Sequence, residues 1–184
     1  MTPTISAFLQ AVGPETAAMQ DSGIRLKVMR SDFARGNFPH LKSLNYLPTI
    51  MALRTAHRDG CAEALLLDPD GRVLECATSN ICMISGDTLT TPPLELGLLA
   101  GRTRALIMDL AGTTGLQARE AAFDLQDLQA ADEVFICGSV KEVVPVIGLD
   151  AQPIGTKTPG PKTRCLQQAY RRAALASCSG KDPV

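Results

Sequence analysis

The chain has 184 residues, of which 45% are hydrophobic, and a formal net charge of -1 at pH 7. This length and composition are enough for one full hydrophobic core, so we expect one principal domain. The near-zero charge provides no overall positive field for nucleic acid, which leaves small-molecule chemistry as the expectation.

The cysteines and the apolar runs of the sequence indicate whether a metal site, a membrane span or an export signal is present. The six cysteines form no Cys-x-x-Cys pair, and the two histidines complete no metal-finger spacing. We therefore predict free thiols in a reducing cytoplasm and no metal site. No run of about 18 apolar residues occurs, and no basic segment precedes an apolar stretch near Met1, so we expect neither a membrane span nor export.

The first third of the chain contains one strand pattern and one helix pattern. Residues 1–22 have weak periodicity, whereas residues 24–28 alternate apolar and charged side chains, which predicts a half-buried strand. The polar stretch 30–40 contains glycine and proline and is predicted to be a loop. Apolar residues at near-helical spacing predict a helix over 46–58, which Asp59 and Gly60 end.

Turn residues divide the middle of the chain into two hairpins. The sequence Asp-Pro-Asp-Gly at 68–71 separates two apolar runs, because proline and glycine suit the special dihedral angles of a turn. Gly86 and Asp87 separate residues 80–84 from 88–91 in the same way. Pro92 and Pro93 then end the second hairpin, since proline cannot continue a central strand.

The last third combines helices and buried strands. Apolar spacing predicts a helix over 102–110, and short apolar runs predict strands at 133–137 and 143–147. A final helix over 161–176 has proline in its first turn and a packed stripe of Leu166, Ala169, Tyr170 and Ala173. Hairpins mixed with helices indicate an α+β fold rather than a regular βαβ alternation.

Six segments occur in an order and at a spacing typical of one enzyme family. They are KSLNYL at 42–47, GRVLE at 71–75, SNI at 79–81, TPP at 91–93, GLLAGRTR at 97–104 and ADEVF at 131–135. Together they resemble the class IV aminotransferases, the fold-type IV group of branched-chain and D-amino-acid aminotransferases and aminodeoxychorismate lyase. An ordered set of motifs is more specific than any one motif.

The resemblance also implies a domain organisation. Residues 35–176 correspond to the large C-terminal, cofactor-binding domain of the family, and residues 177–184 are expected to be a flexible tail. Residues 1–34 are expected to be a lead-in or a remnant of the small N-terminal domain and the interdomain segment, with most of the small domain absent.

Lys42 and Glu75 are the two residues on which the implied chemistry depends. By the resemblance, Lys42 forms the internal aldimine with pyridoxal 5'-phosphate and moves the proton between substrate and cofactor, while Glu75 holds the pyridine nitrogen. We also expect Leu41 and Leu44 to desolvate the Lys42 amine, which would favour its neutral form. On local context alone, a solvated surface lysine and a solvated carboxylate stay open as alternatives.

The resemblance assigns further residues to the cofactor. Leu99 would pack on a face of the ring, and Arg102 and Thr103 would bind the phosphate through main-chain amides and a hydroxyl at a helix start. Ser139 would meet both the phosphate and the substrate carboxylate. The alternatives are a core leucine at 99 and an ordinary helix residue at 103. Asn80 is interpreted as an organiser of its hairpin.

The substrate side of the implied site consists of Arg35, Tyr46, Ser139 and Val140. Tyr46 would line the pocket or else be a core residue of its helix, and Val140 would supply an amide. Arg35 would help to build the pocket, with an exposed loop arginine as the alternative. Three other basic residues are predicted to be solvated charges, namely Arg104, Lys141 and Arg164.

Three functional hypotheses follow from these residues. The first is a pyridoxal-phosphate-dependent, branched-chain-like aminotransferase acting on an amino acid and a 2-oxo acid, as a homodimer with neither a nucleic-acid nor a membrane partner. The second is aminodeoxychorismate lyase, whose members often have arginine where this chain has Tyr46. The third is a catalytically incompetent remnant that folds or associates through the surface that the small domain would cover.

Overall fold

The computed structural model describes residues 4–30, 41–42 and 44–178. Within them, nine strands form one mixed sheet. The strands are β1 (Ile24–Met29), β2 (Glu63–Leu67), β3 (Val73–Cys76), β4 (Asn80–Ser85), β5 (Thr88–Thr91), β6 (Gln117–Glu120), β7 (Glu133–Gly138), β8 (Glu142–Leu149) and β9 (Gln152–Pro153). Their order is β3-β2-β1-β8-β7-β4-β5-β6, with β9 beside β8.

Five α-helices and two short 3-10 helices, Leu94–Leu96 and Ala111–Thr114, accompany the sheet in the described chain. The α-helices are α1 (Pro14–Ser22), α2 (Leu47–Arg58), α3 (Arg102–Leu110), α4 (Leu125–Ala130) and α5 (Pro161–Cys178). The sheet pairs β1 with β2 and with β8 in parallel, and β5 with β6 in parallel, whereas both predicted hairpins are antiparallel. This mixture of pairings confirms the α+β class.

The predicted helices and hairpins are confirmed because their local signals are strong. Gly60 has φ of 70° just after α2, and Gly71 and Gly86 have φ of 84° and 52° in the two hairpin turns. Residues that carry a Cβ rarely adopt such backbone angles, so glycine at these positions allows the chain to turn between one element and the next. Helix α5 extends to Cys178, two residues past its predicted end.

The buried apolar residues form three clusters around the sheet, and β7 contributes to two of them, one on each face of the sheet. Val134 and Ile136 lie in one cluster, while Phe135 and Cys137 lie in the other, as the two-residue period of a strand requires. The second cluster also contains residues of α3 and α5, so these helices cover that face of the sheet. This packing fixes where α3 begins relative to the strand ends.

Helices α1 and α4 and strands β6 and β9 have no counterpart among the predictions. Helix α1 contacts β8, and β6 extends the sheet beyond β5 although its four residues are all exposed. Asp124 caps the start of α4, and its carboxylate accepts hydrogen bonds from two backbone amides in a capping box with Asp127. None of the described helices is both long enough and apolar enough to cross a bilayer.

Candidate active site

A cavity of about 610 Å³ opens where α1, α2 and the start of α3 meet the turns after β3 and β7. Eight of the nine predicted site residues line it: Lys42, Tyr46, Glu75, Leu99, Arg102, Thr103, Ser139 and Val140. The ninth, Arg35, lies outside the described residues. Side chains from positions nearly 100 residues apart in the chain therefore face one space.

Lys42 reaches this cavity from the segment before α2. Its Nζ donates a hydrogen bond to the hydroxyl of Tyr46 at 3.0 Å and lies 5.6 Å from the centre of the tyrosine ring. The expectation that flanking leucines desolvate this amine is wrong, because Leu41 and Leu44 are 63% and 91% exposed. The neighbour of the amine is instead an aromatic ring, four residues later in the chain.

Glu75 supplies a buried carboxylate at the cavity wall. Only 3% of the residue is exposed. The side-chain amide of Asn80 donates a hydrogen bond to it at 3.3 Å, and the backbone amide of Leu99 lies 3.4 Å from both of its carboxylate oxygens. Asn80 also donates to the carbonyl of Leu99 at 3.0 Å. These bonds fix the direction of the carboxylate and join the end of β3 to the chain before α3.

The start of α3 forms a further part of the wall. The first amides of a helix have no partner within the helix, and they carry partial positive charge, so they suit an anion. Gly101 precedes the helix in an extended conformation and provides no side-chain cap. A Cβ built on Gly101 would lie 2.0 Å from the Oδ1 of Asn80. Glycine is therefore required where the backbone passes Asn80.

Arg102 and Thr103, the first two residues of α3, differ in exposure. Thr103 is buried, whereas the Arg102 side chain is exposed, and both line the cavity. The donor set of this wall thus combines backbone amides, one hydroxyl and one guanidinium. Such a set fits a phosphate group.

The turn between β7 and β8 closes another side of the cavity. Ser139 and Val140 are exposed within this turn and line the cavity. Glu142, directly after the turn, has φ of 57°, a left-handed conformation that non-glycine residues rarely adopt. The turn is therefore held in one defined shape.

The prediction of a solvated charge is wrong for two residues, Arg104 and Lys141. Arg104 is buried; it donates to the carbonyl of Pro92 at 3.0 Å and pairs with Glu120 at 3.0 Å. Lys141 lines the cavity and pairs with the fully buried Glu63 at 2.5 Å. Neither partner is near in sequence, so no local pattern indicates these contacts.

All six cysteines are free thiols, as predicted, and four of them are buried. Burial raises the pKa of the Cys76 thiol well above its usual value. Cys137 lines the cavity, and a hydrogen bond with Cys82 together with burial raises its pKa as well. The Cys137 thiol in the cavity is therefore a poor nucleophile, which leaves Lys42 as the better candidate for covalent chemistry there.

Comparison with known proteins identifies the family. A family profile described as "Amino-transferase class IV" matches residues 1–149. The aminodeoxychorismate lyase of Bacillus subtilis is 32% identical over 92% of this chain and 57% of its own length. The D-alanine aminotransferase of Bacillus licheniformis is 31% identical over 96% of this chain and 61% of its own length.

The fold agrees with this result. The crystal structure of the branched-chain amino acid aminotransferase from Thermobaculum terrenum, in its PLP form, matches with a TM-score of 0.77 and 30% identity over 89% of this chain and 53% of that one. The architecture is that of the large C-terminal domain of the fold-type IV enzymes, and the chain spans little more than half the length of these relatives. The chain belongs to the class IV aminotransferase family.

Proposed function

We propose that residues 35–176 form the pyridoxal-phosphate-binding domain of an aminotransferase that moves an amino group between an amino acid and a 2-oxo acid. The observation that carries the proposal is one shared cavity. It is lined by a lysine amine, a buried carboxylate held by two hydrogen-bond donors, and a helix start without a side-chain cap. The amine would bind the aldehyde of the cofactor, the carboxylate would pair with its protonated pyridine, and the helix start would bind its phosphate.

The residues present fit the cofactor in their chemistry. Pyridoxal phosphate, when bound, acts as an electron sink that makes the hydrogen on the substrate α-carbon acidic. Glu75 would pair with the ring nitrogen, because a buried carboxylate stabilises a positive charge beside it. The bonds from Asn80 and Leu99 hold that carboxylate in place. Leu99 lies at the same wall and would pack on a face of the ring.

Lys42 would perform the proton transfer. Its Nζ would take the α-hydrogen of the amino acid as a proton and return it at a different atom, the two halves of an amino-group exchange. The hydrogen bond to the Tyr46 hydroxyl orients the amine within the cavity. Tyr46 would therefore both position Lys42 and line the substrate side.

Anionic groups would bind at two places in the cavity. The amides at the start of α3, with Arg102 and the Thr103 hydroxyl, would hold the phosphate. The Ser139 hydroxyl and the Val140 amide would meet the phosphate and the substrate carboxylate from the turn after β7. Arg35 would complete the pocket on the substrate side. A homodimer, as the family resemblance implies, and a cytoplasmic location, as the unpaired cysteines favour, are parts of the same proposal.

Aminodeoxychorismate lyase is the second candidate, and the 32% identity to the Bacillus subtilis enzyme favours it. The same lysine and cofactor would there eliminate pyruvate. Tyr46 favours transamination, since that branch of the family often has arginine at this position. Release of pyruvate from aminodeoxychorismate, without transfer of an amino group to any 2-oxo acid, would reverse the choice.

The test is a titration of the purified chain with pyridoxal phosphate, monitored by absorbance in the visible range. An amino-transfer assay is then run on the loaded protein. We expect saturable binding with an absorbance band that borohydride removes, and loss of both in Lys42→Ala. The control is Lys162→Ala, which replaces a lysine on α5 that pairs with Asp87. This variant should bind pyridoxal phosphate as the wild type does. Binding without turnover would favour the incompetent remnant, and unchanged spectra in the wild type would contradict the proposal.

A further inference from the structure

The turn between β7 and β8 is strained and tightly held. Residues 139–141 connect the strands, and Glu142 follows with φ of 57°. Non-glycine residues keep such a conformation only where surrounding contacts fix it, and they cluster at ligand-binding sites. The contacts around this turn therefore bear on what it does.

From the sheet side, the turn is fixed through Lys141. Its Nζ lies 2.5 Å from the Oε2 of Glu63 and donates to the Thr78 hydroxyl at 2.9 Å. Thr78 in turn donates to the same carboxylate oxygen at 2.5 Å. Glu63 opens β2, at the other side of β1 from the turn, so this contact joins two separate parts of the sheet.

From the helix side, the turn is fixed by α1 and α5. The Gln20 side-chain amide donates to the carbonyl of Lys141 at 2.9 Å and to the Glu142 carboxylate at 3.3 Å. The Arg171 guanidinium donates to the same carboxylate at 3.2 Å. The turn is therefore held by polar side chains from both sides.

Stability does not explain the Glu63–Lys141 pair. Glu63 is 0% exposed and the Lys141 side chain is 23% exposed, so both charges are largely removed from water. Such a pair is often no more stabilising than apolar residues of the same size, because desolvation offsets the attraction. The charges also cancel, so Lys141 adds little net attraction for an anion. What the pair does supply is a fixed position.

We propose that Glu63 and Lys141 are positioning residues that hold the turn so that the Ser139 hydroxyl and the Val140 amide meet an oxyanion in the cavity. The inference rests on the proposed function, because the oxyanion is taken to be the cofactor phosphate or the substrate carboxylate. Neither residue would touch the reacting atoms. Their effect reaches the ligand through the backbone of residues 139–141.

The first arm of the test is hydrogen exchange in the protein without cofactor. Lys141→Met leaves Glu63 as a buried unpaired charge and risks unfolding, so the double variant Glu63→Gln/Lys141→Met, which removes both charges, is measured beside it. We expect the amides of residues 139–142 to exchange about tenfold faster in the variants that fold. Exchange in β4, and in the control Lys162→Met, should match the wild type.

The second arm compares the Kd of pyridoxal phosphate, pyridoxal, inorganic phosphate and a 2-oxo acid. A phosphate role predicts that the double variant loses about tenfold in affinity for pyridoxal phosphate and inorganic phosphate but not for pyridoxal. A carboxylate role predicts the loss for the 2-oxo acid. Faster exchange with all four affinities unchanged, or unchanged exchange, would overturn the inference.

The two proposals fail in different ways. If the wild type binds no pyridoxal phosphate, the proposed function fails. The exchange rates and the affinity for inorganic phosphate still decide whether the Glu63–Lys141 pair positions an anion site. If the wild type binds the cofactor and the double variant binds all ligands equally well, only the inference about the pair fails.

Discussion

The side-chain amide of Asn80 lies 3.3 Å from the carboxylate of Glu75 and donates a hydrogen bond to it. The same amide donates to the carbonyl of Leu99 at 3.0 Å. One asparagine thus joins the end of β3, the start of β4 and the chain that leads into α3. The direction of the Glu75 carboxylate depends on this residue, although Asn80 has no proposed contact with the reacting atoms.

Replacing Asn80 should therefore weaken cofactor binding as well as the fold. Asn80→Ala removes a donor from a buried carboxylate, which costs about 1–3 kcal/mol of unfolding free energy. We expect the Kd of pyridoxal phosphate to rise by about tenfold, since the carboxylate is less well oriented. Urea unfolding and a cofactor titration measure the two effects. The control Gln129→Ala changes an exposed amide on α4 and should alter neither quantity; a folded Asn80→Ala protein with unchanged Kd would contradict this account.

Gly101→Ala should act through the same asparagine. The added Cβ would lie 2.0 Å from the Oδ1 of Asn80, so the Asn80 side chain must shift, which disturbs its hydrogen bond to Glu75. We expect a loss of affinity similar to that of Asn80→Ala. The double variant should lose little more than either single variant, because both remove one interaction.

The matched control is Gly112→Ala, since a Cβ at Gly112 meets nothing within 4 Å. This change should leave the Kd unchanged and raise stability by about 0.4–1 kcal/mol, because alanine restricts the unfolded chain. Additive losses in the Asn80/Gly101 double variant would show that Gly101 acts independently of Asn80.

The pairing of Lys27 with Asp59 predicts a pH-dependent contribution to stability. Lys27 Nζ lies 2.9 Å from Asp59 and 3.2 Å from Asp150. The hydrogen bond from Lys27 lowers the pKa of Asp59, and the bond to Asp59, with a second to Asp150, raises the pKa of Lys27. A carboxyl with a lowered pKa stabilises the fold above its unfolded value and loses that effect as the pH falls through the folded value.

Lys27→Met should accordingly lower the urea midpoint slightly at neutral pH. The difference from the wild type should shrink as the pH falls below 3.8, the ordinary value for Asp59. It should also shrink as the pH rises through the raised pKa of Lys27, above 10.5. Because the groups are at the surface, about 1 M salt should remove most of the difference at neutral pH. A difference that is constant from pH 3 to 7 would contradict the assignment.

The elements that could be predicted from the sequence are those with local signals. Gly71, Gly86 and the paired prolines at 92 and 93 mark the hairpins, and apolar spacing marks α3 and α5. Strand β6 has no such signal, because its residues are all exposed and its order comes from parallel pairing with β5. Helix α1 buries only Gln20, so an apolar stripe is missing there too.

The candidate site likewise contains residues that could be predicted from the sequence and residues that could not. Lys42 and Glu75 could be named because their motifs resemble those of a known family, and both line the cavity. The Glu63–Lys141 pair could not be named, since its members are 78 residues apart and each is an ordinary charge in its own segment. The sequence also does not predict which face of α2 is exposed, because helical spacing does not indicate which side the protein covers. Leu47 is 66% exposed, whereas Ala52 and Ala56 are buried.

We propose that pyridoxal phosphate attaches to the amine of Lys42. Borohydride reduction of the loaded protein, followed by proteolysis and mass spectrometry, identifies the modified lysine directly. We expect one modified peptide containing Lys42, and its loss in Lys42→Arg without modification of another lysine. Modification spread over surface lysines, or concentrated at Lys141 in the same cavity, would contradict it.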